Sequence, residues 1–292
     1  MRPLQAWLAA IRPKTLGLSV SPVILGTALA VAQGHPFRPL PFVLALLAAL
    51  LIQMGTNLHN DVADFRKGID DDQRSGPPRA TAQGWLSPRA VSRGAALAFG
   101  LALLLGVVLV WLGGWPIFWL GLASLVAGAA YSGGPWPISA LPLGELFVFL
   151  FFGLVAVGGS HYLQSGHFDS QALVAGALLG LPAAAVLVVN NLRDRRGDAR
   201  HGRRTLAVLL PPWASRVLYT VLVGSAFALL PWLLGLDWTL SIPGLLLPFA
   251  VATIRRLWRA EEGAAFNGVL AATARLQLGL GLATALALLL SG

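Results

Sequence analysis

The chain contains no cysteine, which excludes disulfides, thiol nucleophiles and cysteine-ligated metal sites. Charge is also scarce: only 11% of the 292 residues are Asp, Glu, Lys or Arg, where an ordinary soluble domain carries about 25%. In its place stand a hydrophobic content of 56% and a mean hydropathy of +0.72. Acids are rarer still, 12 against 21 Lys and Arg, giving a formal charge of +9. On a soluble domain that surplus would point to nucleic acid. Here the basic residues lie in short stretches between apolar runs, the pattern of membrane loops, so no nucleic-acid partner is expected. The composition predicts an all-α polytopic membrane protein, one domain over residues 1–292, with the lipid bilayer as its solvent.

Nine apolar segments are legible, at about 15–33, 41–60, 94–112, 114–132, 143–163, 172–192, 214–234, 240–257 and 269–290. Most approach the roughly 20 residues that cross a hydrocarbon core. Gly113 and Gly114 with Pro116, and the run from Gly133 to Pro137, punctuate helices that would otherwise fuse. Ala30-Val31-Ala32 imitates a signal-peptidase site, but the basic entry at Arg12 and Lys14 leads into a stretch of near-spanning length. A retained first helix is therefore expected. With the N-terminus cytoplasmic, all but Arg38 of the 21 basic residues fall on the inner side. The positive-inside rule thus predicts nine helices, N-terminus inside, in the cell (inner or cytoplasmic) membrane, with the long polar loops near 61–93 and 193–213 facing the cytoplasm.

Two groups of acids sit where such a chain tolerates them least. Asn57, Asp61 and Asp64 close one apolar segment, and Asn190, Asp194 and Asp198 close another. An aspartate near the bilayer centre costs about 2.5–3.5 kcal/mol on insertion scales, so acids at this depth are functional candidates. Their spacings, i, i+4, i+7 and i, i+4, i+8, place each group along one helix face. Both groups lie at helix C-termini, where the macrodipole is already negative and further anions are disfavoured. Such a place calls for a cation. Aspartates without His or Cys suit Mg²⁺, which takes one or two carboxylates and shares its shell with water and phosphate. Arg66, Lys67, Arg79, Arg203 and Arg204 stand nearby to take phosphate oxygens. Loop aspartates beside arginines are often solvated pairs worth about 0–1 kcal/mol; two groups at matching depth on one side argue against that here. The run Asp70, Asp71, Asp72 reads as solvated, with Asp70 the best placed for a supporting role.

These residues also carry a resemblance. The stretch NLHNDVADFRKGID from Asn57 to Asp70, then GPPR from Gly76 to Arg79, resembles the first aspartate-rich motif of the UbiA-superfamily intramembrane prenyltransferases. NNLRDRRGD from Asn190 to Asp198, running into GRRTLA from Gly202 to Ala207, resembles the second. Within the superfamily, RPKT at Arg12–Thr15, YSGGPWP at Tyr131–Pro137 and GELFVF at Gly144–Phe149 are most similar to the 1,4-dihydroxy-2-naphthoate polyprenyltransferases of menaquinone synthesis. The resemblance covers about residues 11 to 207.

It implies a UbiA-type helical bundle that transfers a polyprenyl chain from its diphosphate to 1,4-dihydroxy-2-naphthoate, with loss of CO₂, giving demethylmenaquinol. It further implies that Asp61, Asp64, Asp194 and Asp198, assisted by Asn57, bind two Mg²⁺ ions. Asn57, Asn60, Arg66, Lys67, Arg79, Tyr131, Asn190, Arg203 and Arg204 are then the expected substrate contacts. Related enzymes often have Lys before Thr205, where this chain has Arg203 and Arg204, so the individual phosphate partner is open. Tyr131 and Trp136 either shield an allylic cation with their π faces or anchor the interface. Glu145 is a substrate contact or a structural partner, His59 is expected to be packed, and Asn190 and Asn191 to support the ligands. Another aromatic acceptor, such as 4-hydroxybenzoate, is the alternative within this chemistry. A cation-coupled transporter would place its acids near the midplane, and a phosphatidyl-type transferase would carry an Asp-Gly-x-x-Ala-Arg signature that this chain lacks.

Overall fold

A computed structural model describes residues 2–70, 75–261 and 263–291; Asp71 and Asp72 lie outside the described residues. The chain is all-α. A short helix α1 (Pro3–Ile11) is followed by α2 (Pro13–Ala32), α3 (Pro39–Arg66), α4 (Pro88–Ala130) and α5 (Gly144–Ser165). Then come α6 (Ser170–Arg200), α7 (Pro212–Leu234), α8 (Trp238–Arg259) and α9 (Ala265–Ser291). Among the described residues, the 8 helices α2 to α9 are long and apolar enough to cross a membrane, and the chain is a multi-pass membrane protein.

Two boundaries differ from expectation. The segments near 94–112 and 114–132 form one element, α4, whose helix is broken at Gly114 (φ 71°) ahead of Pro116. Only glycine adopts that φ readily, and proline removes a donor and clashes with the turn before it. Helices α3 and α6 also run past residues 60 and 192, to Arg66 and Arg200. The acidic motifs therefore lie inside the last turns of rigid helices, and not in the loops that follow.

Helix α1 buries Ala6 and Ala10 and exposes Leu4 and Leu8, as expected of a helix lying along an interface. It meets α2 at Arg12, whose φ of 57° is the only positive one outside glycine among the described residues. Helix α3 packs along α4, and α2 packs on both α5 and α9. Helix α6 is the most enclosed, with 78% of its apolar window buried against α5, α7 and α9. Glycines permit that closeness: a Cβ at Gly180 would lie 2.6 Å from the carbonyl oxygen of Phe149, beside the π turn Leu150–Val155 of α5.

Lipid tails are as apolar as leucine, so packing and interhelical hydrogen bonds hold such a bundle, each bond worth roughly 0.6–2 kcal/mol. Ser19 donates to Gln53 at 2.5 Å, tying α2 to α3, and Ser21 donates to Gln277 at 3.0 Å, tying α2 to α9. Tyr219 and Thr273 share a hydrogen bond of 2.7 Å between α7 and α9. The C-terminal turns of α3 and α6 meet at one end of this bundle, bridged through a common side chain.

Candidate active site

Helix α3 offers two overlapping i, i+4 pairs, Asn57/Asp61 and Asn60/Asp64, and they do different things. Asp61 is 1% exposed and turned from the cavity. Its carboxylate accepts the backbone N–H groups of Ala80 (3.2 Å) and Thr81 (3.0 Å). It therefore anchors the loop after α3, and this expected metal ligand is not among the cavity-lining residues. Asn57 does line the cavity, and its amide donates to the Ile11 carbonyl at 2.8 Å, pinning α1.

Asn60 and Asp64 face the cavity at this helix end. The Asn60 amide donates to Asp64 Oδ2 (3.1 Å) and Ser132 Oγ (2.9 Å). Its oxygen accepts from Arg12 Nη2 (2.9 Å) and Arg79 Nη2 (2.8 Å). Arg79 also pairs with Asp64 at 3.2 Å, and its Nε lies 3.5 Å from Asp70. Arg79 is buried, yet its Nη1 has no hydrogen-bond partner among the described residues. A buried guanidinium with a donor to spare, on a cavity wall, suits an anion.

On α6, Asp194 is held bidentately by Arg193, at 2.8 Å and 2.6 Å. Arg193 further donates to Asn190 (2.9 Å) and to Asn267 of α9 (3.0 Å). Asp198, one turn on, accepts from Arg203 Nη1 at 3.2 Å. The other arm of Arg203, Nη2, binds Asp64 Oδ1 on α3. One guanidinium thus bridges the two motifs. Burial by itself lowers its pKa, but Asp64 and then Asp198 outweigh that and hold Arg203 above its ordinary value.

These groups form the polar end of a cavity of about 1690 Å³. Asn57, Asn60, Asp64, Arg79, Asn190, Asp194, Asp198 and Arg203 all line it. From there an apolar tunnel runs past Ile52, Ala48 and Ala45 of α3, facing Leu103, Val107 and Ile117 of α4. From Ala45 to Asp64 the α3 wall extends roughly 28 Å at 1.5 Å per residue, close to a hydrocarbon-core thickness. Tyr131 lines the junction between the polar and apolar parts.

Several expected contacts point elsewhere. Arg66 donates to Ser92 (3.2 Å) and Lys67 to the Ser132 carbonyl (3.3 Å), and neither lines the cavity. Arg204 is exposed and outside the cavity wall, which leaves Arg203 as the inward member of that pair. Trp136 is 79% exposed and cannot shield a cation in the cavity. Glu145 is buried and is not among the cavity-lining residues, and the Asn191 amide donates to it at 2.9 Å. His59 is packed near Gly133. The sequence assigns no site role to Arg12, Arg193 or Asn267. Arg12 and Arg193 lie inside quoted motifs, whereas Asn267 offers only the weak signal of an amide in the first turn of an apolar helix.

The donor set fits a hard cation. It is all oxygen, and no histidine is among the cavity residues described. Mg²⁺ prefers such oxygen donors and shares its shell with water and substrate phosphate.

The chain is similar to the 1,4-dihydroxy-2-naphthoate octaprenyltransferase of Escherichia coli, 40% identical over 214 residues that cover 70% of this chain and 68% of the relative. It is 36% identical over 230 residues to the enzyme of that name from Haemophilus influenzae, covering 76% and 75%. A solved UbiA homologue from Archaeoglobus fulgidus, bound to DMAPP and Mg²⁺, shares the fold with a TM-score of 0.66 at 16% identity, over 95% of this chain and 98% of that one. Residues 19–274 match the UbiA prenyltransferase family, with both acidic helix ends inside that span: the chain belongs to this family.

Proposed function

We propose that the protein transfers a polyprenyl chain from polyprenyl diphosphate to 1,4-dihydroxy-2-naphthoate with loss of CO₂, giving demethylmenaquinol. The observation that carries this reading is a single cavity whose polar end joins two acidic helix ends and whose apolar end is long enough for an isoprenoid. The names of the two bacterial relatives support the naphthoate acceptor over 4-hydroxybenzoate.

Asp64, Asp194 and Asp198 are the residues that would hold Mg²⁺, one ion at each helix end, with Asn57 as a supporting oxygen donor. The metal supplies positive charge to a departing diphosphate. Arg79 and Arg203 bind the diphosphate oxygens, and Asn60 keeps Arg12 and Arg79 gathered beside Asp64. Charge placed in advance where the leaving group becomes anionic is the main catalytic device. The bond from the allylic C1 to the diphosphate oxygen breaks, and its electron pair leaves with the diphosphate. The carboxyl-bearing ring carbon attacks C1. The carboxylate then departs as CO₂, and its C–C pair restores the aromatic ring. That route needs no protein base. The apolar tunnel excludes water that would quench the cation.

The distribution of basic residues supports a cytoplasmic active site in the cell membrane, with α4 turning at Gly113–Gly114 to make two crossings and the chain nine. A radiolabelled prenyl-transfer assay in membranes tests the whole reading. Label should enter dihydroxynaphthoate, require a divalent cation and release CO₂. Transfer to 4-hydroxybenzoate with none to dihydroxynaphthoate would replace the acceptor assignment.

A further inference from the structure

Arg193 and Asp194 are neighbours in sequence, and on an α-helix successive side chains leave the axis about 100° apart. Yet the Arg193 guanidinium lies flat against the Asp194 carboxylate, at 2.8 Å and 2.6 Å. Something must hold the long side chain around the helix. Its remaining bonds show what does: Nη2 donates to Asn190 Oδ1 at 2.9 Å, and Nη1 to Asn267 Oδ1 at 3.0 Å. Asn190 belongs to the same helix, so the outside support comes from Asn267, in the first turn of α9.

The orientation of Asn267 is itself fixed. Its Nδ2 donates to the carbonyl oxygen of Ser75 at 3.2 Å, in the loop that also carries Arg79, so its oxygen must face Arg193. The approach of Ser75 to this corner is close: a Cβ at Gly263 would lie 3.0 Å from Ser75 Oγ. A continuous chain of contacts therefore runs from the loop after α3, through Asn267 and Arg193, to Asp194.

We propose that Asn267 is a positioning residue for the second acidic motif: it sets the Arg193 guanidinium, which aims the Asp194 carboxylate at the metal, and it ties that aim to the loop bearing Arg79. The proposal rests on the reading of Asp194 as a metal ligand. Partners that orient a metal ligand typically change affinity about 10–100-fold when removed.

The test is Mn²⁺ binding, followed by electron paramagnetic resonance, to the detergent-purified full chain with inorganic pyrophosphate present. Asn267→Ala should weaken Mn²⁺ binding about tenfold or more, and in an Arg193→Ala background it should add little, because the two act as one unit. Asn267→Leu, which keeps the branched shape, removes every polar atom and favours the helix, should match Asn267→Ala and serves if the alanine variant does not fold. Unchanged Mn²⁺ affinity in a folded Asn267 variant, or a full additional loss in the Arg193→Ala background, would overturn the inference while leaving the metal reading intact. A wild-type protein that takes up no Mn²⁺ with pyrophosphate would overturn both.

Discussion

Arg203 grips Asp64 across 139 residues of chain, and with its other nitrogen takes Asp198 at 3.2 Å. This one side chain joins the helix ends that the two motifs occupy. Removing it should cost diphosphate binding and leaving-group stabilisation together. Arg203→Ala is expected to lower kcat/KM for the prenyl diphosphate by about 10²–10³-fold, the scale of losing one preorganised donor. Arg203→Lys should recover part of that, and Arg204→Ala should stay within about two-fold, as surface changes do. Steady-state prenyl transfer at saturating acceptor measures all three; equal losses at both arginines would contradict the assignment of Arg203 as the inward residue.

The two aspartates of α3 should separate in activity. Asp64→Asn is expected to abolish most turnover, beside a loss of stability from its ion pairs with Arg79 and Arg203. Asp61→Asn weakens the acceptor of two buried backbone amides, and should cost about 1–3 kcal/mol of stability. Thermal unfolding in detergent, read beside activity, checks the pair. A stable but inactive Asp61→Asn protein would return that residue to the metal site.

EDTA should remove activity, and excess Mg²⁺ should restore it. The donor set is all oxygen, so restoration by Mn²⁺ is expected too. Full turnover in EDTA would exclude a metal-assisted departure of the diphosphate.

The pH dependence of the Arg203 bridge follows from its raised pKa. A cationic group with a folded pKa above its unfolded value contributes fully below the unfolded value, which for Arg lies far above neutrality, and loses its contribution only as pH rises through the folded one. From about pH 7 to 10 the stability gap between wild type and Arg203→Ala should therefore be flat. A gap that shrinks over this range, in thermal melts, would mean that another group titrates in the bridge.

Ala48 lines the tunnel at a point packed with Leu109 and Ile117. Ala48→Phe should block the far end. Short donors such as a C5 or C10 diphosphate should keep activity within about three-fold, while long polyprenyl donors lose about tenfold or more, at ~0.8 kcal/mol for each methylene denied burial. A donor-length series reads this directly. Equal losses at every length would place the tail elsewhere.

Much of this was legible without coordinates. The charge deficit and the apolar run lengths determined a multi-pass helical membrane protein, because only internally hydrogen-bonded helices or closed barrels cross lipid. The two acid-bearing motifs marked the candidate site, because carboxylates at that depth are too costly to keep without use. Tertiary structure decided which members of each motif face the cavity. Asn57/Asp61 and Asn60/Asp64 share the same i, i+4 spacing, and the two rows lie only about 60° apart around the helix. Which row faces the cavity depends on how α3 is rotated against α4 and the loop, which packing sets and periodicity cannot. The same holds for Arg203 over Arg204. It holds most of all for Asn267, which lies 74 residues beyond Arg193 and meets it only because α9 closes the bundle against α6.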